Sequence, residues 1–352
     1  MFDGKRVLVT GGTGSMGRVL VRRILSGELG TPAKVIVFSR DEAKQHEMRI
    51  AYLSRKVATD EVIYSNFERV LEFRIGDIRD VADVVAAVRD CDIVINAAAL
   101  KQVPVCEYFP MQGVLTNCMG AENIIRAIVE HRVPIDTVVG ISTDKACLPI
   151  NVMGMTKALQ ERILISANIR APGTRFICVR YGNVMASRGS VVPLFRQQVL
   201  AGAPVTVTSP DMTRFMLSIN QAVDTVLAAL RDARRGEVFV PNAVSTTMLN
   251  VAKAMIGERK NEIKITGVRP GEKMHEIMVS NEECRHVRAR GECYAILPML
   301  PELRVEPDDG KPALAKAFSS GDHVVSLEDT KKLLERHGHL VHQGGGEADA
   351  EY

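Results

Sequence analysis

Val7-Leu8-Val9-Thr10-Gly11-Gly12-Thr13-Gly14-Ser15-Met16-Gly17 is an apolar run, a tight turn and the start of a helix. Its glycines at 11, 14 and 17 have the spacing G-x-x-G-x-x-G. Gly11 supplies the turn, Gly14 lets the backbone approach a pyrophosphate, and Gly17 lets the helix pack close to the strand. The helix start adds free N–H groups and a positive dipole end, which suit phosphate. Glycines alone also mark ordinary turns. A strand before them and a helix after them make this stretch a dinucleotide-binding fingerprint.

Outward from that turn, short apolar runs alternate with amphipathic segments. Arg6–Val9, Val35–Phe38, Leu71–Ile75, Ile93–Ala97, Thr137–Ile141 and Arg175–Arg180 read as strands. Gly17–Leu25, Asp41–Ser54, Val81–Arg89, Gly120–Glu130 and Val152–Ala167 read as helices. The alternation predicts an α/β fold, a Rossmann-type doubly wound parallel sheet with both faces covered. After Tyr181 the alternation weakens and Gly, Pro, Ser and Thr become frequent through Gly182–Pro210. Helical patterns return at Ile219–Ala233 and Leu249–Ile256, as expected of a smaller substrate-binding lobe against the sheet's carboxyl edge. Leu327–His337 reads as a last helix with Ser326 as N-cap and Asp329 in its first turn. The chain thus divides into a dinucleotide-binding domain over 1–181, with 216–245 contributing, a lobe over 182–325, a helix over 326–341 and a disordered tail over 342–352.

Of the 352 residues 46% are apolar, enough for a sizeable core, and 45 basic against 42 acidic residues leave a net charge of +3. That balance, with no Trp and 5% aromatics, argues against a nucleic-acid partner or an anionic membrane. There is no run of 18 apolar residues, which argues against a membrane span, and no basic-then-apolar start. Seven scattered cysteines without a C-x-x-C pair fit reduced thiols and a cytoplasmic location. No cluster has metal-ligand spacing.

The second strand ends in Phe38-Ser39-Arg40. An acidic residue there would suit the ribose hydroxyl of NAD, whereas a small hydroxyl followed by Arg suits a 2′-phosphate, so NADP is favoured over NAD. Gly76-Asp77-Ile78 closes the third strand, where Asp77 can reach the adenine amine or serve as a turn residue. The fifth strand ends in Ile141-Ser142-Thr143-Asp144-Lys145, and Met153 and Lys157 share a face of the following helix.

At Thr143 to Lys157 the sequence resembles the extended short-chain dehydrogenase/reductase superfamily, with Met153 where its Tyr-x-x-x-Lys motif has tyrosine. More narrowly it resembles the UDP-N-acetylglucosamine 4,6-dehydratases of bacterial polysaccharide biosynthesis, some of which carry Met there. Ser142–Ala146, Pro149–Asn151, Ala97–Pro104, Arg180–Val184, Thr213–Phe215 and Arg269–Glu276 carry that likeness. The membrane-embedded members add an N-terminal transmembrane region absent from this chain. The resemblance implies a cofactor wall of Gly11, Thr13, Gly14, Ser15, Met16, Gly17, Ser39, Arg40, Asp77, Ile78, Ala97, Ala98, Ala99, Lys101, Lys157, Tyr181, Asn183 and Val184. For the nucleotide sugar it implies Lys101, Asn183, Arg214, Arg269 and Glu272. Glu107, like Lys101, follows the carboxyl end of the fourth strand but is given no role. It also implies a homo-oligomer, with a hexamer as one such assembly.

In that chemistry hydride leaves C4 of the sugar, the 4-ketone acidifies C5, a base removes the C5 proton, an acid protonates the departing C6 oxygen, and hydride returns to C6. By resemblance Lys145 is the C5 base and Asp144 the C6 acid. This requires a neutral Lys and a protonated Asp, hence desolvation or a coupled pair. Thr143 would bond the C4 hydroxyl and Lys157 the nicotinamide ribose. Met153 cannot move a proton, so Asp144, Thr143 or a water beside Lys157 takes the C4 proton. Taken alone, Asp144-Lys145 reads as a surface ion pair, Lys157 as an exposed helix lysine, Thr143 as a cap and Met153 as a packed residue. His275 and Glu276 read as continuing a helix and receive no role. The rival functions are a nucleotide-sugar 4-epimerase, which needs no acid at C6 and usually keeps the tyrosine, and a non-catalytic nucleotide-binding homologue.

Overall fold

The computed structural model describes residues 1–53, 67, 69–185, 187, 189–304 and 310–341. Ser54 and the tail 342–352 lie outside the described residues. Six parallel strands come from the first half: β1 (Arg6–Thr10), β2 (Lys34–Ser39), β3 (Leu71–Ile75), β4 (Ile93–Asn96), β5 (Thr137–Thr143) and β6 (Arg175–Tyr181). Three more come from later: β7 (Val238–Pro241), β8 (Val287–Arg290) and β9 (Cys293–Ile296). The sheet order is β8-β9-β7-β6-β5-β4-β1-β2-β3. β7 runs parallel to β6, and β9 and β8 close the edge antiparallel.

The central strands are apolar on both faces because helices cover both. α1 (Ser15–Leu25), α2 (Glu42–Leu53), α3 (Val81–Val88), α4 (Gly120–Glu130), α5 (Val152–Arg170) and α6 (Ile219–Asp232) supply that cover. α6 starts in a full capping box, Ser218 with Gln221. The expected strands and helices of the first half appear within a few residues of their bounds. β5 and β6 run further than expected, to Thr143 and Tyr181, which carries their last side chains to the cleft.

The segment 182–325 differs from its expected reading in two ways. It returns β8 and β9 to the main sheet, where Phe239 and Ala295 bury side by side. It also holds a helix, Val191–Leu200, within the stretch 182–210, where Gly, Pro, Ser and Thr are frequent and no helical pattern is read. Val192, Phe195 and Val199 of that helix pack into a second, smaller apolar cluster with Val205, Val207, Val251, Met255 and Leu334. Leu334 lies on the last helix, Leu327–Arg336, which Ser326 caps by accepting from the Asp329 N–H. Between β4 and α4 the chain makes two short helices and a π-helical turn, Val114–Met119. All seven cysteines are free and buried. Among the described residues, no helix is long and apolar enough to cross a membrane.

Candidate active site

A cleft of about 1140 Å³ runs across the carboxyl ends of the strands, where ligands bind in open α/β folds. Every residue assigned above to cofactor, sugar nucleotide or chemistry lines it except Asp144. Glu107 is not part of it; its carboxylate instead accepts from the Val152 N–H at 2.7 Å and caps α5.

The glycine turn forms one end. Gly11 has φ +64°, and a Cβ there would sit 2.9 Å from the Ala98 backbone. A Cβ on Gly17 would lie 2.6 Å from Gly12 Cα, so α1 approaches its own turn as closely as glycine permits. Gly14 is the N-cap and brings no side-chain bond to the helix start. These features fit a pyrophosphate cradle. At the end of β2, Arg40 is exposed and its Nη1 lies 3.7 Å from Asp77 Oδ2. Asp41 is already paired with Lys44. Asp77 is bonded by the Arg79 guanidinium, which holds its carboxyl below the usual range.

The other end is built on β5. Thr143 caps a single 3-10 turn over Asp144–Ala146. Asn151 starts α5 by accepting from the Gly154 N–H at 2.8 Å, and its own amide donates to the Gly271 carbonyl at 2.8 Å. Gly154 allows the first turn of α5 to lie directly against the Lys145 carbonyl. The 143–145 turn, the start of α5 and the 269–276 loop are therefore locked together.

At that junction Asp144 is fully buried, behind the cleft wall. Its Oδ1 accepts from two groups that do face the cleft, Thr143 Oγ1 at 2.9 Å and Lys145 Nζ at 2.9 Å. Lys145 Nζ also lies 3.2 Å from Glu276 Oε1 and 3.5 Å from Asn183 Oδ1. Asp144 Oδ2 and Glu276 Oε2 are buried and have no hydrogen-bond partner. Burial draws the Lys145 ammonium toward neutrality, but the Asp144 and Glu276 charges outweigh it and the net shift is upward. The resting pair is thus coupled, as the chemistry asks, but with the proton held on lysine; the expected neutral amine is not the resting form.

The surface-pair reading of Asp144-Lys145 fails on burial, and so does the exposed-lysine reading of Lys157. Lys157 is 5% exposed; its Nζ donates to the Ile141 carbonyl and, at 2.7 Å, to Gln160. Burial brings its pKa down to about 8. Met153, 4% exposed, lines the same cleft as Lys145 and Lys157. Tyr181 donates to Met16 Sδ at 2.7 Å, and burial pushes its phenol up. Arg214 is buried, with Nη1 bonded to the Thr213 carbonyl at 2.7 Å and Nε 3.9 Å from Glu276. Arg269 is exposed at the rim, and Glu272 has one buried oxygen, Oε2, without a partner.

Glu276 is the residue that sequence reasoning missed. It does not continue a helix: its N–H donates to Ser320 Oγ and its carbonyl accepts from the Ser320 N–H, a strand-like pairing that leads into Ile277–Val279. Its place at the end of the Arg269–Glu276 motif was the available signal. Among the described residues, no three His, Cys, Asp or Glu side chains are grouped to hold a metal ion.

Residues 7–298 match the family described as Polysaccharide biosynthesis protein. A Rickettsia conorii protein named UDP-glucose 4-epimerase is 42% identical over 345 residues, 95% of this chain and 94% of that one. The X-ray structure of Pen from Bacillus thuringiensis superposes with a TM-score of 0.85 at 32% identity, covering 97% of this chain and 100% of that chain. DesIV from Streptomyces venezuelae, a dTDP-glucose 4,6-dehydratase solved with NAD and TYD, gives a TM-score of 0.64 at 21% identity over 76% of this chain and 86% of its own, and speaks for the fold alone.

Proposed function

The chain belongs to the polysaccharide biosynthesis protein family, and from that premise we propose that it is a nucleotide-sugar 4,6-dehydratase. Its substrate in this reading is UDP-N-acetylglucosamine, its product a UDP-4-keto-6-deoxy-N-acetylhexosamine, and its cofactor a resident NADP. One observation carries the reading: a carboxylate–ammonium pair, buried Asp144 with half-buried Lys145, reaches the cleft that Met153 also lines. A 4-epimerase needs a proton acceptor at the C4 oxygen and nothing at C5 or C6. Both reactions need that acceptor, which the Met153 thioether cannot be, but only the dehydratase has a use for the acid and base gathered at Asp144 and Lys145.

The turn at Gly11–Gly17 would hold the pyrophosphate, and Lys157 the nicotinamide ribose. Arg40 would meet the 2′-phosphate, because the nearby Asp41 and Asp77 are already paired with cations. When bound, the cofactor supplies a hydride acceptor for C4 and a donor for C6. Thr143 then does the work of the absent tyrosine. Its hydroxyl takes the C4 hydroxyl proton while its own proton passes along the 2.9 Å bond to Asp144 Oδ1. Asp144, now neutral, returns that proton through the same hydroxyl to the departing C6 oxygen, so the O4 proton leaves in the water. Lys145 takes the C5 proton and later gives one back; the face it returns to decides retention or inversion. Arg214 and Arg269 suit the diphosphate, and Glu272, with an open oxygen, suits the uridine diol.

A second reading, UDP-sugar 4-epimerase, is favoured by the name of the 42% identical relatives. Incubation of the purified protein with UDP-N-acetylglucosamine, and separately UDP-glucose, in deuterium oxide separates the two by NMR. A 4-keto-6-deoxy product deuterated at C5, formed without added cofactor, is expected. UDP-N-acetylgalactosamine or UDP-galactose as product would replace the dehydratase by the epimerase. Cofactor bound but no turnover would leave a binding homologue. Stoichiometric consumption of NADP⁺ would also count against the dehydratase.

A further inference from the structure

The resting site holds Lys145 as an ammonium between two carboxylates, yet a base at C5 must be a free amine. We propose that Glu276 is the positioning residue that arms Lys145, taking the ammonium proton once Asp144 has been protonated. The inference rests on the dehydratase reading, and it makes removal of the C5 proton conditional on completed oxidation at C4.

The geometry supports that order. Thr143 Oγ1 and Lys145 Nζ donate to the same oxygen, Asp144 Oδ1. When the C4 proton arrives there by way of Thr143, the oxygen becomes a hydroxyl and ceases to be an anionic partner for Lys145. The charged groups that face Lys145 are then Glu276, 3.2 Å away on the loop entering Ile277–Val279, and Arg214 on Thr213–Leu217; Asn183 contributes a neutral amide oxygen. Lys145, half-buried, has lost one of two stabilising charges while Arg214 works against its proton. Glu276 is 2% exposed with a partnerless Oε2, so it has lone pairs open to a proton and little water to hold its charge. Lys273 Nζ lies 3.9 Å from Oε2.

The steps balance. Lys145-NH₃⁺ and Glu276-COO⁻ become Lys145-NH₂ and Glu276-COOH. The amine takes the C5 proton, the C5 electron pair forms the C5–C6 double bond, and the C6–O bond breaks with the oxygen protonated from Asp144. After hydride reaches C6, Lys145-NH₃⁺ returns its proton to C5, and Glu276 then restores the ammonium. No step needs a co-reactant beyond the recycled cofactor.

Glu276→Gln keeps the shape and one acceptor but cannot take the proton, so Lys145 must discharge to solvent. In the variant we expect kcat to fall by about 10²-fold at pH 7, KM to change little, and kcat to climb with pH where the parent is flat. Reduced nicotinamide absorbing near 340 nm should build up in a single turnover, because C4 oxidation outruns elimination. Glu276→Asp should recover the flat profile. A parental kcat and profile in the Gln variant would overturn the inference, as would a uniform loss at every pH with no reduced cofactor, which marks a structural role. A thermal melt shows whether the Gln variant is folded; if it is not, the profile and single-turnover trace of the Asp variant decide in the same way. A parent protein that only epimerises overturns the dehydratase reading and this inference together, whereas a working dehydratase with an indifferent Glu276 overturns this inference alone.

Discussion

Two cations sit at the ends of adjacent strands, Arg180 buried and Lys145 half-buried, each between two carboxylates, and they are built to opposite standards. Arg180 on β6 makes five hydrogen bonds, to both oxygens of Glu161, both oxygens of Glu283 and the Met278 carbonyl. Ser142 donates a further bond to Glu161 at 2.5 Å, and Ser280 N–H one to Glu283 at 3.0 Å. Every carboxylate oxygen in that cluster has a partner. In the Lys145 cluster one oxygen of each carboxylate has none. The alternation of a strand separates the two: Ser142 and Arg180 turn to the satisfied network, while Thr143 and Tyr181 turn to the cleft. A fully bonded guanidinium, which does not give up its proton, fastens α5 and the 280–284 turn to the sheet. A lysine between half-satisfied carboxylates can exchange protons. The open lone pairs mark chemistry, and the filled ones mark structure.

Exchanging the cations tests that contrast. Lys145→Arg keeps the charge but removes the only form that acts as a base. Product formation by NMR should drop by about 10²–10⁴-fold, with the thermal midpoint nearly unchanged. Retained turnover would mean that Lys145 does not act as a base. The reciprocal Arg180→Lys offers three donors where five bonds stood. Each buried acceptor left unsatisfied costs about 1–3 kcal/mol, so urea denaturation should show a clear loss of stability while turnover per folded molecule persists. A large loss of kcat at parental stability would erase the distinction between the clusters.

The same contrast explains what the sequence revealed. The glycine turn, β1–β6 and α1–α5 rest on local spacing, and each glycine at 11 and 17 is dictated by contacts within its own turn or with the next strand end. Thr143, Asp144, Lys145, Met153 and Lys157 were legible because one strand end and one helix carry them. Glu276 is brought to Lys145 from 131 residues away by the 269–276 loop, and its partner Ser320 lies 44 residues further on. No local period encodes that pairing, so the stretch looked helical. The burial of Asp144 was likewise invisible, since it involves the chain just past β6, where a Cβ on Gly182 would lie 3.4 Å from Asp144 Oδ2. β8 and β9 joined the main sheet for a similar reason: β9 pairs with β7 from more than 50 residues away, and β8, with two arginines in four residues, joins only through β9.

A third cation, buried Lys157, refines the comparison with a smaller effect. Among the described residues, Lys157 has no carboxylate within hydrogen-bond distance; its partners are the Ile141 carbonyl and Gln160. Desolvation therefore prevails, and its pKa falls from 10.5 to about 8. Between those values the unfolded chain binds a proton that the folded chain does not, so stability rises with pH through that window. Below about pH 8 both states are protonated, and the full cost of burying the charge is present. The shift of 2.5 (10.5 minus 8) corresponds to about 3 kcal/mol. Lys157→Met removes the charge at similar volume. In urea denaturation at pH 7, 8.5 and 10, the variant should be the more stable at pH 7, and the parent should gain on it by up to about 1.4 kcal/mol per pH unit above 8. A difference that does not change with pH would mean that Lys157 is solvated or paired in solution. Lys157 would then belong with Lys145 and Arg180 as a cation held by charge, and not as one held against desolvation beside the cofactor.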